Sequence, residues 1–140
     1  MPIQDAVKPV QKVTTSELAK DFADHLAVVT WDTPGAETDN KIAVALKLQN
    51  ALGDDLAAKE RIRLTCTEGA TMNLAAAGDG TVLSGADSSD IIIETDETTG
   101  EFDLEVTYTL AGTVTVVGGV TQGSGFVNCG ESIDLIFAGV

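Results

Sequence analysis

Phe102, Leu104, Val106 and Tyr108 alternate with Asp103, Glu105 and Thr107. A period of two over seven residues fits a strand with one dry face and one wet face, and excludes an amphipathic helix. The surrounding stretch, Asp90 to Val117, is organised around this run. Ile91 to Glu94 is a short β-rich segment ahead of it. Thr95 to Gly100 is polar and ends in glycine, as a turn does. Ala111-Gly112 breaks the run, and Val114 and Val116 begin the next. Three strands with short links predict an antiparallel meander or part of a Greek key.

The same alternation recurs elsewhere. Ile42, Val44, Leu46 and Leu48 form one face of Lys41 to Gln49, and Ile62, Leu64 and Cys66 one face of Glu60 to Thr67. Ile133, Leu135 and Phe137 alternate in the last run. Shorter β segments are expected at Thr71 to Ala77, Thr81 to Leu83, Val120-Thr121 and Phe126 to Cys129. With Phe102, Leu104, Val106, Tyr108, Val114 and Val116, these inward positions are the expected core. Seven or more strands with no intervening helical pattern exclude a βαβ fold. They predict a mainly β chain, a sandwich of two antiparallel sheets.

Before the first of these strands the pattern differs. Residues 1–13 hold two of the three prolines and read as an extended arm. Thr14 and Glu17 have capping-box spacing, and Leu18, Phe22 and Leu26 then fall on one helical face. Leu26 to Trp31 reads alternatively as a strand. Residues 32–40, DTPGAETDN, read as a polar linker. The expected division is therefore residues 1–40 as arm, helix and linker for assembly, and 41–140 as the sandwich. Leu18, Phe22, Leu26 and Trp31 are the expected assembly interface. Burying the three helical side chains is worth about 5 kcal/mol before ordering costs.

Charge narrows the partners. Acidic residues number 22 against 8 basic ones, giving a net charge of −14. Arg63 is the last cation, and the 77 positions after it carry twelve carboxylates. Such a surface repels nucleic acid and anionic lipid. No apolar run approaches a membrane span, and the first twelve residues lack the pattern of a signal peptide.

Catalysis has no visible carrier. His25 is the single histidine and stands outside the sandwich, so the Ser, Thr and Cys residues of the β region have no imidazole to activate them. Cys66 and Cys129 are expected as free thiols; a disulfide would need their Cα atoms within about 7 Å. Asp79, Asp87 and Asp90 fall in one loop region and Asp96 with Glu97 in another. None has calcium-loop spacing, and solvated acidic turns are expected. No catalytic residue, cofactor or metal site is expected.

Four segments resemble bacterial immunoglobulin-like domains. Ile42 to Ala57, IAVALKLQNALGDDLA, is similar to their opening strand and turn. Thr95 to Gly100 resembles their Thr-Asp-x-x-Gly turn with one residue added. Leu110 to Val116, LAGTVTV, resembles their Ala-Gly-x-x-x-Val signature, and Val127 to Phe137 their closing strand. The resemblance covers about 100 residues and implies an immunoglobulin-like fold without one chemistry. With the arm and helix in front, the chain also looks like small structural proteins of tailed-phage particles. That resemblance implies a non-enzymatic head decoration protein that oligomerises, as a trimer rather than a dimer, and binds the major capsid protein or another virion protein. It places the chain in the virion, assembled in the host cytoplasm. An accessory tail protein is the alternative. An adhesin-like or glycan-binding module is another, with Ser84 to Asp90 and Thr121 to Gly125 as loops at one sandwich end.

Overall fold

The computed structural model describes residues 27–122, 125–128 and 131–139. The expected arm and helix, with Leu18, Phe22 and Leu26, lie outside the described residues, as does Cys129. Ten strands are found among the described residues: β1 (Ala27–Trp31), β2 (Lys41–Asn50), β3 (Arg61–Cys66), β4 (Thr71–Leu74), β5 (Thr81–Ser84), β6 (Asp90–Glu94), β7 (Glu101–Thr107), β8 (Ala111–Gln122), β9 (Gly125–Asn128) and β10 (Ile133–Ala138). They form two antiparallel sheets. The first has the order β1-β2-β7-β4; the second has β10-β8-β3-β6-β5, with β9 also on β8.

One core lies between the sheets. Ile42, Val44, Leu46 and Leu48 from β2 and Phe102, Leu104 and Val106 from β7 are buried. Ile62, Leu64, Val114, Val116, Leu135 and Phe137 meet them from the second sheet. Cys66, Tyr108 and Ile133 are only partly buried, at the margin of this cluster. Ala27, Val29, Met72, Ile91 and Ile93, which lie outside the expected core set, are buried in the same cluster.

The start of the sandwich and the pairing of its strands both differ from expectation. The sandwich begins upstream of Lys41. β1 pairs with β2 from Ala27↔Asn50 to Trp31↔Leu46, and Val29 is fully buried. Residues 32–40 are thus not a linker between domains but a strap within one sheet. The strap continues along β2, with Asp32 N donating to Ala45 O at 3.0 Å and Gly35 N to Ala43 O at 2.8 Å.

The expected meander is also not formed. β6 lies beside β3, β7 lies between β2 and β4, and β8 lies between β3 and β10, so consecutive strands cross from sheet to sheet. The turn after β6 is held by the segment that leads into β3, the neighbour of β6 in the same sheet. Thr95 Oγ1 donates to Ala58 O at 2.7 Å and accepts from Glu60 N at 2.9 Å, with the residue itself buried. Leu48 N donates to Gly100 O at 3.0 Å. Gly100 has φ 70°, and a Cβ there would stand 2.1 Å from Leu56 O, so the crossing needs glycine. Ala111 and Gly112, expected as a break, instead open β8 opposite Ala138 and Phe137. β8 also runs through Gly118-Gly119, because the missing side chain lets Val29 approach: a Cβ on Gly118 would lie 3.2 Å from Val29 Cγ1.

Both long sides of the sandwich are tied across the layers. On one side Met72 N donates to Ser88 O at 3.0 Å and Asp87 N to Met72 O at 2.9 Å, joining the β4 edge to the β5–β6 connection. On the other, Glu131 N donates to Val29 O at 3.0 Å, and Ala138 N donates to Glu37 Oε2 at 2.7 Å. These ties cover part of each exposed edge, where unpaired strands otherwise invite foreign pairing.

Candidate interaction surface

The chemistry-bearing side chains are dispersed. Asp79 Oδ2 accepts from Thr99 Oγ1, Asp87 Oδ1 accepts from Asn73 Nδ2, and Asp90 is paired with Arg63. Asp96 Oδ1 is occupied by its own turn, accepting from Thr98 N at 2.7 Å and Thr99 N at 3.2 Å. Among the described residues no group of three or more His, Cys, Asp or Glu stands close enough to hold a metal ion. Cys66 Sγ donates to Ala70 O at 3.2 Å, and burial pushes its thiol up to about 11, away from the reactive thiolate. Ser84 to Asp90 and Thr121 to Gly125 are not one loop set. Asp90 pairs with Thr65 at one end of β3, while Val120 pairs with Ile62 at the other.

Trp31, an expected interface residue, is partly buried against the core, and its Nε1 donates to Glu131 O at 2.8 Å. Its ring and N–H hold β1 to the β10 side of the same sandwich.

Each described lysine and arginine is in an ion pair. Lys41 meets Glu105 at 3.2 Å; Lys47 meets Asp55 at 3.2 Å and Glu101 at 4.0 Å. Lys59 and Arg61 share Glu94, at 3.5 Å and 3.9 Å, and Arg63 meets Asp90. The hydrogen bond from Lys47 holds the Asp55 carboxyl below its ordinary range, and the Arg63 hydrogen bond does the same for Asp90. Partial burial pushes Glu101 the other way, against the opposing pull of Lys47. The described cations are therefore committed to internal pairs, while carboxylates remain in excess.

The outer face of the first sheet carries a concavity. Because β2 alternates, Ala43 and Ala45 point outward between Lys41 and Lys47, and two alanines leave a low floor between long side chains. The strap supplies one wall with Asp32 and Thr33, and the turn at Ala75 to Gly78 supplies another. Asp103 joins the rim, fixed by accepting from Asp79 N at 2.8 Å. This depression holds about 390 Å³. A second of about 330 Å³, bounded by Thr38, Asp39, Lys41 and Glu105, shares Ala43 with it. Together they make an alanine-floored trough with an acidic rim. Its floor is apolar and its rim carries the carboxylates Asp32, Asp39, Asp103 and Glu105. The alternation marked Ala43 and Ala45 as outward, but no sequence signal placed the strap beside them.

No family model matches the chain, and no curated protein matches it. Among solved structures, the Reelin-N domain of F-spondin is similar over 82% of this chain and 86% of that one, at 11% identity and a TM-score of 0.48. The human F-spondin reeler domain is similar over 83% and 96%, at 9% identity and 0.49. A β-glycosidase from Bacteroides vulgatus is similar over 81% of this chain but only 14% of its own length, at 12% identity and 0.48. Likeness at this level carries no argument about function.

Proposed function

We propose that this chain is a non-enzymatic structural protein of a tailed-phage particle, a head decoration protein that oligomerises and binds the capsid surface. The observation that carries the reading is a sandwich tied along both long sides, with its described cations paired internally. Such a module is suited to displaying surface rather than transforming a substrate. The resemblance of residues 42–57, 95–100, 110–116 and 127–137 to bacterial immunoglobulin-like domains supports it, and the acidic surface suits a partner with a basic patch. Leu18, Phe22 and Leu26 supply the assembly element in this reading.

Co-sedimentation of the purified chain with capsids that lack it tests the reading. Saturable binding, weakened by salt, is the expected result. A properly folded chain that stays in the supernatant with capsids and pellets with tails would move it to the tail; binding to neither, with retention on a glycan array, would make it a glycan-binding module.

A further inference from the structure

We propose that residues 6–13 of this chain, AVKPVQKV, lie in the alanine-floored trough on the outer face of their own first sheet. The inference stands whether or not the chain belongs to a particle.

Charge gives the first reason. Residues 6–13 carry Lys8 and Lys12 and no carboxylate. The trough is rimmed by Asp32, Asp39, Asp103 and Glu105, and its one lining cation, Lys41, is already paired with Glu105 at 3.2 Å. In a chain of net charge −14, these residues lie within the longest carboxylate-free stretch of the first 26, residues 6–16, and hold both of its lysines.

Shape gives the second. The floor at Ala43 and Ala45 and the wall at Ala75 to Ala77 accept small apolar side chains, and residues 6–13 offer Ala6, Val7, Val10 and Val13. Pro9 has no N–H to give to a strand ladder and keeps the segment extended, which suits a face rather than an edge. Lys8 and Lys12, four residues apart, leave the same side of an extended chain about 13 Å apart. That spacing lets one ammonium reach the Asp32 and Asp103 end while the other reaches the Asp39 and Glu105 end.

Reach gives the third. β1 starts at Ala27, opposite Asn50, and Ala45 is five residues further along β2, a distance of about 17 Å. Residues 14–26 between them span about 20 Å as a helix and about 45 Å extended, so either conformation reaches. A tether of that length holds the segment at roughly millimolar effective concentration, which favours its own trough over a neighbour's.

The test uses the full chain and backbone amide chemical shifts. In a Lys8→Glu/Lys12→Glu chain the amides of Ala43, Ala45, Ala76 and Asp103 should shift, while those of Ile62 and Leu64 on the other sheet stay in place. High salt should move the same amides of the unaltered chain in the same direction, and dilution should leave them unchanged. Adding Asp32→Lys to the double reversal should return part of the shift. Trough amides indifferent to the charge reversal would overturn the proposal. Shifts that fade on dilution would also overturn it, by showing that a second copy supplies the segment.

Discussion

Two polar connections of similar composition do opposite work in this molecule. The crossing at Thr95 to Gly100 and the strap at residues 32–40 both join strands through Asp, Thr and Gly. The crossing is satisfied from within: Thr95 binds Ala58 and Glu60, Asp96 caps two turn amides, and Gly100 is packed on Leu56. The strap is tied at intervals and leaves loose ends. Glu37 Oε1 and Asn40 Oδ1 are buried with no hydrogen-bond partner, and Asp39 and Asn40 hold positive φ of 53° and 64°. Unsatisfied oxygens and left-handed non-glycine residues each cost free energy that the fold elsewhere must offset. The crossing is scaffold, and the strap, which also walls the trough, is where a change of contact costs least.

The comparison breaks if the crossing proves tolerant. Gly100→Ala should cost about 3 kcal/mol, since it adds a left-handed alanine and forces the Leu56 backbone away. Denaturant unfolding measures it, and a loss below that of the strap variants would contradict the assignment. Thr95→Val should cost about 2 kcal/mol, because it keeps the shape but strands the Ala58 carbonyl and the Glu60 amide.

Glu37→Ala should cost less, about 1 kcal/mol, because the lost bond to Ala138 N is partly offset by relief of the orphaned Oε1. Its larger consequence is at the β10 edge, where Ile136 is 76% exposed. With Ala138 released, self-association read by light scattering should rise. A variant with unchanged mass would show that the strap does not guard that edge.

The smallest effect concerns charge. Asp90 is held below its ordinary 3.8 by Arg63, so the pair contributes stability above that pH and loses it as pH falls through the lowered folded value. Arg63→Gln should therefore melt slightly below the unaltered chain at neutral pH. The two curves should converge as Asp90 is protonated. A gap that persists in acid would mean that Arg63 acts by packing.

What the sequence made legible follows from what alternation encodes. Phe102, Leu104 and Val106 read directly as the dry side of a strand, because period two fixes which face a residue takes. It does not fix which strand lies alongside, so β6, β7 and β8 read as neighbours although they sit in alternate layers. Thr95 looked like any polar turn residue; its role depends on Ala58 and Glu60, far away in sequence. Leu26 to Trp31 read only as an alternative strand at the end of the helix candidate, and pairing of Ala27 to Trp31 with β2 decides for the strand. The trough was half legible, as two outward alanines, since its walls come from segments whose positions are set by tertiary hydrogen bonds.

Imaging of phage particles produced with and without this chain tests the central claim most directly. The account predicts symmetric surface density on the capsid, large enough for an oligomer of this sandwich, that vanishes when the chain is absent. Particles identical in both preparations would contradict it.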